Sequence, residues 1–200
     1  MEIVLDNIKS AFFETSLLEW LGVLTGVLYV ILISYKKIAA WFFALSSSLI
    51  YVYICFSYQL YLESFLQVFY VIMALYGWKS WRKSTRKNLI IKWPLKKHFI
   101  NILISLFVTI TLGYIFKNFT NQANPYTDSF TTVFSLTATF MVTKKVLENW
   151  VYWIIIDAVS IFLFFSRELY LTGVLFFFFT IIAIWGYIQW RRSYSKQIAV

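Results

Sequence analysis

The chain has little that would brace it covalently or hold it in water. Cys55 is its one cysteine and His98 its one histidine, which excludes an internal disulfide and any Cys/His zinc cluster within one chain. Cys55 is expected to pack against lipid or core, and His98 to mark a helix edge. Only 14% of the 200 residues are charged, against roughly 25% in a soluble domain. No Gly-x-x-x-x-Gly-Lys-Ser/Thr phosphate loop occurs, which disfavours an energised pump within this chain and leaves open a separate ATP-hydrolysing partner. Membrane acyl or prenyl transferases need a His/Asp or Asp-rich constellation; here the acids are scattered singly, and no general acid and base pair is visible. The first residues, Met1-Glu2-Ile3-Val4-Leu5-Asp6, carry acids where a secretory signal carries Lys or Arg, so this segment is expected to be retained as a short interfacial helix.

What the chain does have is apolar surface. Sixty per cent of it is hydrophobic and its mean hydropathy is +0.71, arranged as long runs between short polar stretches. A spanning helix needs about 20 residues to cross about 30 Å of hydrocarbon. Seven transmembrane helices follow, near Leu18–Ser34, Ile38–Phe56, Tyr61–Trp78, His98–Phe116, Ser129–Thr143, Leu147–Phe165 and Leu169–Trp190. The remainder is too short and polar to bury a soluble core, so the fold class is an all-α, polytopic membrane protein. Of the 18 Lys and Arg, all but Lys9, Lys117 and Arg167 fall on one face of this topology. The positive-inside rule then places the N-terminus outside and the C-terminus in the cytoplasm. The basic block from Lys79 to Lys97 reads as a cytoplasmic loop beside anionic headgroups, not as a nucleic-acid site.

Sliding the sequence against itself by 109 residues aligns Lys36–Ser84 with Lys145–Ser193 without a gap, with 15 of 49 positions identical. Trp41 pairs with Trp150, Leu60-Tyr61-Leu62 with Leu169-Tyr170-Leu171, Gly77 with Gly186, and Trp81-Arg82 with Trp190-Arg191. The same offset pairs Glu19 with Asp128 and rescues Ser129–Thr143, whose Ser and Thr content makes it doubtful on hydropathy alone. Three helices, one linker helix and three helices form a parallel 3+1+3 arrangement. The expected division is 1–84 (first repeat with its N-terminal segment), 85–118 (basic loop and linker helix) and 119–200 (second repeat with the tail). Parallel repeats are a transporter plan, with substrate near the midplane between the halves; a duplicated scaffold without transport is the structural alternative.

Polar groups inside spans are costly and usually face the bundle interior. Asn149, Trp153 and Asp157 recur at i, i+4 and i+8, on one face of the sixth span. Gln67, Tyr70 and Ala74 share a face of the third, with Tyr76-Gly77-Trp78 and Trp81 at its cytoplasmic end. Aromatic faces with a few hydrogen-bonding groups suit a flat heterocycle, and a carboxylate among them suits a delocalised cation such as a nicotinamide ring or a thiazolium. The plainer readings are an interfacial aromatic belt for Trp78, Trp81, Tyr187 and Trp190, and interhelical hydrogen bonds for Asn149 and Asp157. Ser46-Ser47-Ser48 either admits close helix packing, the preferred reading, or lines the pathway. Glu19 is either a wet residue at a helix end or, with Asp157, a route for proton coupling. Ser48 pairs with Asp157 and Gln67 with Phe176 across the repeat, an inequality that an asymmetric ligand would require.

Leu66-Gln67-Val68-Phe69-Tyr70 leading to Tyr76-Gly77-Trp78-Lys79-Ser80-Trp81, and Asn149-Trp150-Val151-Tyr152-Trp153 with Asp157, resemble the two signature regions of the PnuC family of vitamin-precursor transporters. The resemblance covers essentially the whole chain. It implies a fold similar to SWEET sugar transporters, a homotrimer in the bacterial inner membrane, and uptake of nicotinamide riboside by facilitated diffusion, with phosphorylation trapping it inside. It implies Gln67, Asn149 and Trp153 as substrate contacts, with Tyr70, Trp41 and Asp157 as further candidates, and no cofactor. The second half reads Trp185-Gly186-Tyr187 where the first has Tyr-Gly-Trp. Relatives that carry thiamine or riboflavin keep thiamine as the alternative substrate.

Overall fold

The computed structural model describes residues 2–58, 61–83, 89–120 and 123–199. Among them are eight helices: α1 (Glu2–Glu14), α2 (Leu17–Ser34), α3 (Ala40–Ser57), α4 (Tyr61–Lys83), α5 (Leu95–Phe119), α6 (Pro125–Thr143), α7 (Asn149–Ser166) and α8 (Tyr170–Ile198). Leu60 of the repeat and residues 84–88 of the basic block lie outside the described residues. At 13 residues α1 is too short to span, in keeping with an interfacial helix, and its Phe12 packs edge-on against Trp20 of α2. The other seven supply the spans in their expected order, three, one and three.

Five of these seven, α2, α3, α5, α7 and α8, are long and apolar enough to cross a membrane on composition alone. The other two, α4 and α6, fall short for different reasons. Helix α4 runs on into Lys79, Arg82 and Lys83. Helix α6 buries Ser129, Ser135, Thr139 and Thr143 along with its apolar residues, so its polar side chains face protein rather than lipid. Hydropathy underrates such a helix because it assumes a lipid-facing surface.

The chain divides into two compact units, Met1–Leu89 with Ile188–Val200, and Ile90–Tyr187. In the first, α3 packs on both α2 and α4: Ser47 Oγ donates to the Gly22 carbonyl at 2.9 Å, and Ser64 Oγ to the Val52 carbonyl at 3.2 Å. In the second, α6 packs on both α5 and α7, with Ser105 and Thr137 hydroxyls 3.3 Å apart and Tyr126 lying against Gly113. The helix expected as a linker, α5, thus packs within the second unit. The last turns of α8 belong to the first, where the Trp190 indole donates to the carbonyls of Ile33 and Ser34, each at 3.1 Å.

The duplication is written into the backbone. Lys36 and Lys145 both take left-handed φ, 57° and 55°, and each closes its helix in a Schellman motif: Lys37 N–H reaches the Leu32 carbonyl at 2.9 Å, and Val146 N–H the Met141 carbonyl at 3.0 Å. Ser34 and Thr143 each return a hydroxyl to the carbonyl three residues back, at 2.7 Å in both cases. Further along, the ring of Trp41 occupies the space a Cβ on Gly77 would need, and Trp150 does the same at Gly186, where a Cβ would come within 2.6 Å of the indole. Two helices therefore approach over a glycine in each half, which is why Gly77 and Gly186 survive in helix interiors despite the cost of about 1 kcal/mol.

Candidate functional site

In the second unit the polar face of α7 begins at its first residue. Asn149 is fully buried; its Nδ2 donates to the Val146 carbonyl at 2.6 Å, while Oδ1 has no partner among the described residues. Flipping the amide would set carbonyl against carbonyl, so the hydrogen-bond inventory fixes its orientation. A buried carbonyl oxygen left unpaired costs roughly 1–3 kcal/mol, and it offers an acceptor to any donor brought to it. One turn on, Trp153 is partly buried against the cluster of Phe134, Ala138, Met141, Val146, Tyr152 and Ile156, which holds its ring plane. A further turn on, Asp157 is 3% exposed. The face thus presents an acceptor, an indole and a carboxylate in order.

In the first unit, Trp41 is buried with its Nε1–H unpartnered among the described residues. Its ring lies 6.0 Å from Tyr29 and meets Trp81 edge-on at 5.4 Å, and Trp81 lies 6.4 Å from Trp190. Tyr70 is partly buried. Gln67, three residues before it on α4, is also partly buried, and Ala74 is buried on the same face. The structure therefore sets Trp41 beside Tyr29 in one unit, and Asn149, Trp153 and Asp157 along α7 in the other.

Several readings of single residues change. Trp81 and Trp190 are 6% and 0% exposed, so they are packed aromatics rather than belt residues, because each rests against other rings. Trp78, at 37% exposure, is the one of these tryptophans open enough for a belt. Glu19 sits at an exposed helix start, in keeping with a wet residue: its Oε2 accepts the Ser16 N–H at 2.7 Å while Ser16 Oγ accepts the Glu19 N–H at 3.2 Å, the capping box that starts α2. Its repeat partner Asp128 instead binds Arg167 at 2.6 Å. Ser47 packs as expected.

Sequence reasoning overlooked Tyr29, whose signal was a lone tyrosine inside the first span. It also underread His98, whose Nδ1 lies 3.1 Å from the Tyr152 hydroxyl and whose Nε2 lies 3.7 Å from Glu148. Glu148 directly precedes Asn149, and that adjacency was the available clue.

Residues 16–192 match the family model described as nicotinamide mononucleotide transporter. The nicotinamide riboside transporter PnuC of Escherichia coli (strain K12) is 29% identical, over 92% of this chain and 89% of that protein. The protein of the same name from Neisseria mucosa is 24% identical, over 98% and 80%. Among solved structures, the vitamin B3 transporter PnuC superposes with a TM-score of 0.73 at 22% identity, covering 96% of this chain and 90% of that one. With the matched region running from the cap of α2 to the last turns of α8, this chain belongs to the nicotinamide mononucleotide transporter family.

Proposed function

We propose that the chain takes up nicotinamide riboside by facilitated diffusion with alternating access, and that Gln67, Asn149 and Trp153 contact the substrate with Tyr70, Trp41 and Asp157 in support. The observation that carries this reading is the α7 face, where a fixed acceptor, an indole and a buried carboxylate follow at successive turns. An indole stacks on a flat ring and, with a carboxylate nearby, favours one that carries positive charge. The six candidate residues include no Lys or Arg. A phosphate would meet Asp157 without a compensating cation, so the riboside is favoured over the mononucleotide. The close relatives bear the riboside in their names. The family is one of transporters, and the chain is not an enzyme.

The cationic bias of the loops supports a bacterial inner-membrane protein with its N-terminus outside and its C-terminus cytoplasmic. The resemblance supports a homotrimer in contact with lipid. Calorimetry with nicotinamide riboside, nicotinamide mononucleotide and thiamine, beside an Asn149→Ala, Trp153→Ala double variant, tests substrate and site together. Riboside binding that the double variant loses sustains the proposal. Thiamine binding alone changes the vitamin and keeps the site; no binding of either sinks the substrate assignment. In liposomes, unmodified riboside should equilibrate without ATP, and accumulation against a gradient would contradict facilitated diffusion.

A further inference from the structure

The segment leading into α5 contacts the turn from which Asn149 springs. Ile91 N–H donates to the Lys145 carbonyl at 3.0 Å, and Leu147 N–H donates to the Ile91 carbonyl at 2.8 Å, a single parallel bridge that grips the chain on both sides of Val146. Ile90 is 2% exposed and anchors the segment. Two residues after Ile91, the Trp93 N–H donates to Glu148 Oε2 at 3.3 Å. Glu148 lies 3.7 Å from His98, whose other nitrogen meets Tyr152, which Asn101 Nδ2 also reaches at 3.5 Å. Val146 and Leu147 are 0% and 1% exposed, so the bridge closes on a buried stretch of the turn.

The consequence reaches Asn149 through one atom. The Val146 carbonyl accepts both the Asn149 main-chain N–H, at 3.2 Å, and its side-chain amide, at 2.6 Å. Where that carbonyl points decides which way the amide turns, and therefore whether Oδ1 stays free as an acceptor. We infer that the strap of Ile90–Trp93, secured by Glu148, is a positioning element that aims Asn149 Oδ1 for its ligand; this rests on Asn149 being a substrate contact. None of the strap residues need touch the ligand. The repeat partner of Asn149 is Ala40, which has no amide to aim, and its turn is held by the Trp190 indole instead.

The test uses the full-length protein. Ile91→Pro deletes the donor to Lys145, Glu148→Ala deletes the acceptor for Trp93, and Glu148→Gln retains an acceptor oxygen. Each of the first two should weaken nicotinamide riboside binding about 10-fold, the scale of one buried hydrogen bond, while Glu148→Gln should restore most of it and Ile91→Ala should cost less than Ile91→Pro. Combined with Asn149→Ala, neither should weaken binding much further, because both act through that side chain. Fully additive losses would overturn the inference.

Amide hydrogen exchange without ligand gives the second measurement. Ile91→Pro should speed exchange across residues 144–152 and leave 36–43 unchanged; unaltered exchange at 144–152 overturns the strap whether or not the riboside binds. If the wild type binds no riboside, the proposed substrate falls, and exchange alone decides the strap. If Asn149→Ala binds normally while exchange responds, Asn149 is not a contact, and the positioning role falls with it.

Discussion

The turns at residues 35–39 and 144–148 have the same backbone and opposite surroundings. Both close on a left-handed lysine with the same Schellman bonds, yet Lys37 and Ile38 are exposed, whereas their counterparts Val146 and Leu147 are at 0% and 1%. The first turn is held from one side by a tryptophan N–H and leads into Ala40. The second is gripped by a backbone bridge and a carboxylate, and leads into Asn149. Duplication copied the backbone, and what later packed around each copy differentiated them. Each turn offers the next helix start a carbonyl, Lys37 to the Ala40 N–H at 3.0 Å and Val146 to the Asn149 N–H at 3.2 Å, but only the second also receives a side-chain amide.

The largest expected effect tests the feature the halves share. Gly77→Val and Gly186→Val should each cost about 3 kcal/mol or prevent folding, because the added side chain overlaps a tryptophan ring on the facing helix. Thermal melts of the purified variants would check this, and a tolerated valine at either glycine would break the equivalence. Next, exchanging the residues that differ should hurt both halves. Ala40→Asn should lower stability by about 2 kcal/mol by forcing a larger polar side chain into a site that is 0% exposed, whereas Asn149→Ala should reduce riboside binding about 10- to 100-fold with a smaller change in stability.

Smaller again is the effect of the clamp on the first turn. Trp190→Phe keeps the ring and removes the donor to Ile33 and Ser34, and should destabilise by about 1–2 kcal/mol, with faster hydrogen exchange at 36–43 and none at 144–152. Lastly, Lys36→Gly should stabilise by up to about 1 kcal/mol. It relieves a left-handed lysine and removes an ammonium whose pKa partial burial already holds below its ordinary value. Lys145→Gly should gain less, because Lys145 is buried and engaged. Equal gains at the two lysines would argue that the surroundings of the turns differ less than their burial implies.

Much of this was legible in advance, for physical reasons. Hydrocarbon imposes a length and an apolarity on each span, and α2, α3, α5, α7 and α8 announce themselves that way. The doubtful α6 was recovered because a repeat carries information that composition does not. The polar face of α7 followed from helical spacing, which does not depend on the rest of the fold. Trp81 and Trp190 were misjudged because an aromatic at a helix end looks the same in sequence whether it meets lipid headgroups or another ring. The capping role of Glu19 was not foreseen because its partner, Ser16, lies just outside the span that drew attention.

Local chemistry along the chain was enough to set the solvent of this protein, the order of its helices, their duplication, and the residue types available on each face. These are properties of local chemistry and periodicity. Only the tertiary structure decided which of those residues are satisfied and which are left with a free hydrogen-bonding atom. Asn149 acquires an unpaired Oδ1 because the Val146 carbonyl takes its amide, and that carbonyl is placed by a bridge to Ile91, 55 residues earlier in the chain. No periodicity encodes such a bond, since it exists only once distant segments have packed.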